Sequence, residues 1–450
     1  LTGVTIKVDT QELSYYGGAN LNVVEVSGDG VVLDGLTLDM VHVTMNGVDA
    51  FGDPRQWSAG KGAQVVRVIG SDTVIRNCRI TSGGSYPYGY GDAFGKGARP
   101  NTDGVTNAAF ISHKKQSGFL ITGGANNVLV ENVTLNMRSY GHGFFMQQGA
   151  SDISFINCEV LGDTMADSDD IIAHPEYQAW GAATYKVPIP ADINISKHEG
   201  AFRVYGNSDH ASNGFPQWIE NITITNCRAE RMRVGIACAD AIGFLRVTDT
   251  ELVECEYGFA PSGYGTETTV TGCKGDALNG PLIYFQRSVD HPATMEVELT
   301  GSAPGKGVWP IALISGDGSN ITLTSSASPG VYPEGAYINL SQKWREWRHR
   351  PAGNLDEPGS GNYSEATTNT TINNRTAYPL LIGPNATGNA IVSDGGVINK
   401  STGNSYSGAT LVPANITIQD TWSSPPNPMN VPWAQFDGGG TQILPTPPHE

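Results

Sequence analysis

The chain has 450 residues and a formal net charge of −17. So acidic a surface repels nucleic acid and anionic membranes, and neither is an expected partner; no run of about 18 apolar residues is present to span a bilayer. Gly is abundant at 56 residues and only 16% of the chain is charged, a composition foreign to helical bundles.

The chain opens on the strand-like LTGVTIKVDT with no visible signal peptide, so for a secreted protein the leader is expected to have been removed or left out. From there a repeat emerges, and repeats decide the fold. A corner followed by a short strand recurs in VIRNCRI (Asn77, Cys78), LVENVTL (Asn132), SFINCEV (Asn157, Cys158), ITITNCRA (Asn226, Cys227), RVTDTEL (Asp249) and VTGCKG (Gly272, Cys273). The spacings are 157−132 = 25, 249−226 = 23 and 272−249 = 23. A second register runs through GFLIT, GFFMQ, AFRVY, GIACA, GFAPS and PLIYF, which begin at Gly118, Gly143, Ala201, Gly235, Gly258 and Pro281. Here 143−118 = 25, 258−235 = 23 and 281−258 = 23.

Each rung thus holds three strands of three to five residues, too short to stand alone. Stacking pairs each strand with its copies above and below, giving parallel sheets around one continuous core. The corner Asn residues suit a ladder whose side-chain amides bond the backbone of neighbouring turns. The pattern resembles the right-handed parallel β-helix of the pectate-lyase-like superfamily, over roughly residues 20–300. That resemblance implies an all-β, single-stranded solenoid with rungs of about 23 residues and long loops on one face. A single domain, 1–450, is expected. Its later part, about 301–450, carries less regular strands (SNITLTSS, NTTINNRT, GNAIVSDGGVINKS, ANITIQDTW) and an extended Pro-rich tail.

Cys78, Cys158, Cys227 and Cys273 recur at one ladder position. Rungs lie about 4.8 Å apart, close enough for a Cys158–Cys227 bridge. Buried thiols in a stack are the favoured reading, because free Cys behaves as a small hydrophobe. The sequons at Asn132, Asn221, Asn320 and Asn415 fall in strand–turn phrases that the architecture itself favours.

Strand residues alternate in and out. In the second register the core phase is Phe119/Ile121, Phe144/Met146, Phe202/Val204, Ile236/Cys238, Phe259/Pro261 and Leu282/Tyr284. Outward then point Leu120/Thr122, Phe145/Gln147, Arg203/Tyr205, Ala237/Ala239, Ala260/Ser262 and Ile283/Phe285. Arg203 and Tyr205 stand out on this face, and the small residues that follow are expected to leave room for a ligand. The segments leading into these strands carry Lys115, Arg138, Tyr140, His142, Lys197, His198, Glu199, Arg231 and Arg233. Lys115, Tyr140, His198 and Met232 each lie three residues before their strand, so equal phase predicts one basic groove. Its alternative is an ordinary solvated face.

Two insertions flank the expected groove. Residues 82–117 carry Tyr86, Tyr88, Tyr90 and Phe94, candidates to stack on sugar rings or on one another. Residues 162–200 crowd Asp167, Asp169, Asp170 and His174, a set suited to a hard cation such as Ca²⁺, to catalytic carboxylates, or to a plain polar loop. The reaction expected therefore needs no cofactor, or needs Ca²⁺. The basic patch WREWRHR (344–350) reads as an amphipathic surface segment.

A groove on such a solenoid suits a linear polymer. The superfamily resemblance implies a polysaccharide lyase, a glycoside hydrolase or an adhesin, and fold alone does not choose. β-Elimination from an acidic polysaccharide, in a secreted, extracellular or periplasmic setting, is the leading expectation. Arg203, Lys115 and Arg138 would neutralise a uronate, His198, His142 or Lys115 would act as base, and Tyr205 or Tyr140 as acid. Arg138, Arg233, Lys197, Tyr88 and Gln147 would bind substrate. Hydrolysis would need two carboxylates from Asp167, Asp169, Asp170 and Glu199. The trio NTD (Asn101–Asp103), GHG (Gly141–Gly143) and DD (Asp169, Asp170) is similar to polygalacturonase-type hydrolases. Its order departs from theirs, since GHG precedes DD and no R-x-K follows, so their roles are not carried over. A carbohydrate-binding module without catalysis is the third reading.

Overall fold

The computed structural model describes residues 3–7, 22–40, 63–82, 116–138, 141–162, 164–166, 195–196, 198–205, 218–239, 241–261, 267–277, 280–285, 292–301, 311–328, 338–340, 367–376, 378, 380–382, 386–387, 390–393, 397–401, 409–411 and 417–422. Among these residues every element is a strand. The chain divides into two compact units, Leu1–Ala166 with Ile195–Arg246, and Asp167–Asn194 with Val247–Glu450.

In the first unit the short strands form three stacked parallel rows, as the repeat predicts. One row runs Asn22–Val26, Ala63–Val68, Gln116–Ile121, Phe144–Met146, Gly200–Tyr205 and Val234–Ala239, each paired with the next. The second contains Val32–Asp34, Thr73–Arg76, Asn126–Glu131, Ser151–Ile156 and Ile219–Thr225. The third contains Thr5–Lys7, Thr37–Asp39, Arg79–Thr81, Thr134–Asn136, Glu159–Leu161 and Arg228–Glu230. An antiparallel pairing joins Thr164–Ala166 to Ile195–Ser196.

The core is built by register. Phe119, Phe144 and Phe202 are in-register partners with no exposed surface. Their ring centroids lie 5.2 and 5.3 Å apart, and Phe155 packs from the second row 4.7 Å from Phe144. Burying an aromatic ring contributes about 1.5–3 kcal/mol, one part of what offsets the entropy of ordering the short strands, about 1–2 kcal/mol per residue.

The corner between the second and third rows explains the repeated Asn. Asn77, Asn132, Asn157 and Asn226 adopt φ of 55°, 53°, 53° and 49°, the left-handed region that Asn tolerates best after Gly. The ladder is amide to amide rather than amide to backbone: Asn132 Nδ2 donates to Asn77 Oδ1 at 3.2 Å, Asn157 to Asn132 at 3.1 Å, and Asn226 to Asn157 at 2.7 Å. Asn77 ends the run on the carboxylate of Asp34 at 2.8 Å. The structure adds a second left-handed column, Asp72, Asn127, Asp152 and Asn221, with φ between 51° and 57°. There Asn127 donates to Asp72 at 2.7 Å and Asn221 to Asp152 at 2.9 Å. The sequon residues Asn132 and Asn221 are thus ladder members.

The second unit repeats the scheme. Asp249 and Gly272 hold the corner with φ of 50° and 63°, and a Cβ on Gly272 would strike Asp249 Oδ1, which accounts for Gly in place of Asn. Parallel pairing continues through Ala293–Leu299, Asn320–Ser325, Thr371–Arg375, Ala390–Ser393 and Ala409–Leu411. One phase is corrected. Ile283, expected to face outward, pairs with Phe259 and is fully buried, whereas Tyr284, expected in the core, is partly exposed. That step is 283−259 = 24 residues, so a 23-residue count turns the strand inside out.

All six cysteines are buried free thiols. The four ladder thiols make one repeated contact, Sγ to the carbonyl two residues back, at 3.1 Å for Cys78, 3.4 Å for Cys158 and 3.3 Å for Cys227 and Cys273. The Cys158 amide donates to Cys227 Sγ at 3.4 Å. Burial raises the Cys78 and Cys158 thiols and pushes Cys273 up to about 12.

Candidate functional site

The row through Gly200–Tyr205 positions the residues of interest. Register places Arg203 between Phe145 on one side and Ala237 on the other, with Leu120 beyond Phe145. Because Phe202 and Val204 fill the core, Arg203 and Tyr205 point outward and are partly exposed. The guanidinium lies over the Tyr205 ring, 5.0 Å from its centroid. Among the described residues no carboxylate pairs with Arg203. Gln147 is partly exposed on the same face. The room expected over the following rung is absent: Ala237 is 3% exposed.

Among the described residues of the leading segments, Ser117, His142, Glu199 and Arg233 form a buried polar column, one residue per rung. Gln64 pairs in register with Ser117. Ser117 Oγ accepts from the His142 amide at 3.2 Å, and the Gly118 amide donates to the His142 carbonyl at 2.9 Å. The Gly200 amide then donates to His142 Nδ1 at 3.1 Å. The Glu199 amide reaches the Gly141 carbonyl at 3.0 Å, and the Arg233 amide reaches the Glu199 carbonyl at 3.1 Å. Side chain to side chain, Arg233 Nη1 donates to Glu199 Oε2 at 2.7 Å, the two being 6% and 3% exposed.

Several placements therefore differ from the sequence reading. His198 and Met232, expected along a groove, have no exposed surface. Arg233, expected to bind substrate, is committed to Glu199, and Glu199, a candidate hydrolytic carboxylate, is committed to Arg233. A charge taken out of water must be paired, and this pair neutralises itself. His142 is nearly covered, its ring 4.4 Å from that of Phe145. Arg138 is exposed, and its amide donates to Ser82 Oγ at 2.8 Å. Arg231 is paired with Glu230 at 2.8 Å. Lys115, Tyr140, Lys197, Tyr86, Tyr88, Tyr90, Phe94, Asp167, Asp169, Asp170, His174 and residues 344–350 lie outside the described residues. Among the described residues no three His, Cys, Asp or Glu side chains gather in a metal-binding group.

The buried column is hard to read from the sequence because equal phase in a solenoid fits a covered line as well as an open one. The signal lies in the residue types. Ser117 and His142 accept from backbone amides of the neighbouring rungs, and Glu199 and Arg233 pair with each other.

No protein-family model matches the chain, and no curated protein matches it. Among solved structures, a surface adhesin of Streptococcus pneumoniae, PfbA, aligns at 14% identity and a TM-score of 0.36, covering 93% of this chain and 82% of the adhesin. An endo-xylogalacturonan hydrolase from Aspergillus tubingensis aligns at 11% identity and a TM-score of 0.30, covering 94% and 90%. Likeness this slight carries no function to the chain. Read from its own strand pairings, the fold is the parallel β-helix that the repeat predicts.

Proposed function

We propose that the chain binds a uronic-acid-containing polysaccharide on the outward face around Arg203 and cleaves it by β-elimination. One observation carries this reading. Arg203 is a partly exposed cation on a regular strand of a strongly acidic protein, lying over an aromatic ring with no carboxylate against it among the described residues. A guanidinium matches a planar carboxylate with two parallel hydrogen bonds. Tyr205 and Phe145 flank it with aromatic surface of the kind that packs on sugar rings.

In the elimination a base removes the C5 proton, the C5–H electrons form the C4–C5 double bond, and the C4–O bond breaks with the proton of an acid going to the leaving oxygen. Arg203 is assigned to hold the carboxylate and offset the charge that builds beside it. Tyr205 is assigned as the acid. The base is sought in Lys115 or Tyr140, which precede neighbouring strands of the same row. Of the carboxylates named for hydrolysis, Glu199 is buried and already paired with Arg233, which removes it as a candidate. Binding without cleavage is the second reading, favoured by the burial of both His142 and His198. The polymers concerned are wall and matrix components, which puts the proposed activity outside the cell.

The test is incubation with a panel of polyuronates, followed by ultraviolet absorbance of the unsaturated uronate and by reducing ends. Elimination gives both signals, and Arg203→Ala removes both. Reducing ends without absorbance sink elimination in favour of hydrolysis. Binding with neither signal leaves the second reading, and absence of binding to every polyuronate refutes both.

A further inference from the structure

We infer that His142 is a positioning residue, held as the Nε2–H tautomer by the backbone of the next rung, and not the base of any reaction at the Arg203 face. The inference rests on Arg203 being the ligand-facing group. A backbone amide can only donate, and Gly200 N–H lies 3.1 Å from His142 Nδ1. Nδ1 must therefore present its lone pair, and the proton of the neutral ring sits on Nε2. A base needs an available lone pair. On this ring one nitrogen is engaged and the other already carries its proton, and His142 as a whole is 4% exposed.

What the bond does is mechanical. Gly200 begins the strand that carries Arg203 three residues later. Just before it, Glu199 is tied at its amide to Gly141, at its carbonyl to the Arg233 amide and at its carboxylate to the Arg233 guanidinium. His142 is itself tied on the other side, at its amide to Ser117 Oγ and at its carbonyl to the Gly118 amide. The His142 ring is thus a side-chain link between two rungs at the foot of the Arg203 strand. An added Cβ at Gly200 would press on Val234 Cγ1 at 3.0 Å and stand in ordinary contact with His142 Nδ1 at 3.5 Å. The ring also packs on Phe145, the register partner of Arg203. Two routes, one along the backbone and one through Phe145, connect this histidine to the outward cation.

The experiment uses the full chain without ligand. Nitrogen-15 spectra of the imidazole read the tautomer, and amide exchange at Gly200 reads the bond. Wild type is expected to show pyridine-type Nδ1, pyrrole-type Nε2 and a protected Gly200 amide. His142→Asn places a side-chain oxygen where Nδ1 was and should keep that protection. His142→Ala should lose it by about tenfold, the worth of one net hydrogen bond. A pyridine-type Nε2, or equal loss in the two variants, overturns the inference. Where a polyuronate is turned over, the same two variants separate positioning from base catalysis. His142→Asn should retain turnover that His142→Ala weakens through affinity. Abolished turnover in His142→Asn with normal affinity would restore the histidine as base. If no polyuronate binds, the functional reading alone has failed, and the tautomer and the Gly200 protection still decide the role of the ring.

Discussion

Two columns of the first unit run up the same stack and solve the same problem differently. At the corner, Asn77, Asn132, Asn157 and Asn226 repeat one residue type in one left-handed conformation. An amide both donates and accepts, so identical copies satisfy one another indefinitely. Before the Arg203 row, Ser117, His142, Glu199 and Arg233 occupy successive rungs with four different chemistries. A carboxylate only accepts and a guanidinium only donates, so Glu199 and Arg233 cannot bond to copies of themselves. The first column is a structural repeat that tolerates extension; the second is a set of individual matches buried away from water. Buried and non-repeating polar groups carry the higher penalty when one partner is lost.

The sharpest break of that comparison is Arg233→Ala. It leaves the Glu199 carboxylate buried without its cation and should cost about 3–5 kcal/mol, seen as a lower denaturant midpoint. Replacing both Glu199 and Arg233 by apolar residues should recover much of that loss. No recovery in the double variant would mean that the column is held by something other than the pair.

Asn157→Ala should come next. It removes the bonds to Asn132 and from Asn226 and forces Ala to φ near 53°. A loss of about 2–3 kcal/mol is expected from strain and lost hydrogen bonds together. Asn157→Gly separates the two, because Gly takes the backbone without strain. If Gly costs as much as Ala, conformation contributes nothing and the amides carry the corner.

A smaller effect is expected at the ladder's end in acid. The hydrogen bond from Asn77, followed by that from Arg76, holds the partly exposed Asp34 carboxyl below the usual carboxylate range. A depressed folded pKa contributes stability that is present above the unfolded value and lost as pH falls through the folded one. Unfolding measured on the acid side of the carboxylate range should therefore show a slight loss in wild type that Asp34→Asn lacks. Identical acid profiles would remove Asp34 from the ladder's energetics.

Arg203→Ala should change stability least, by within about 0.5 kcal/mol, because its guanidinium packs on Tyr205 and not in the core. Its effect belongs to binding. Destabilisation as large as that of Arg233→Ala would show Arg203 to be a structural residue like those beneath it.

How much of this is legible in the sequence follows from the chemistry of each column. The Asn corner can be read because repetition of one residue at a near-constant interval is itself the signal. The core phase of Phe119, Phe144 and Phe202 follows from alternation. Tyr284 and Ile283 exchange places because one extra residue between rungs flips every side chain of a strand. The Asp72–Asn127–Asp152–Asn221 column hides because Asp and Asn alternate in it, so no single letter recurs. Arg203 and Tyr205 point outward as alternation predicts, whereas His198, Glu199 and Arg233 were expected at a surface they do not reach.

By itself the sequence determined the solenoid, its three strands per rung, its corner residues and the direction of most strand side chains. These depend on local period and on residue conformational preference, both of which survive in a string of letters. The tertiary structure alone decided which polar side chains are covered. Burial depends on what lies across the stack, and pairing joins residues as distant in the chain as His142 and Gly200 or Glu199 and Arg233. It therefore separated a buried positioning column from the outward cation Arg203, which alternation along the strand and the folded chain both place on the face of the solenoid.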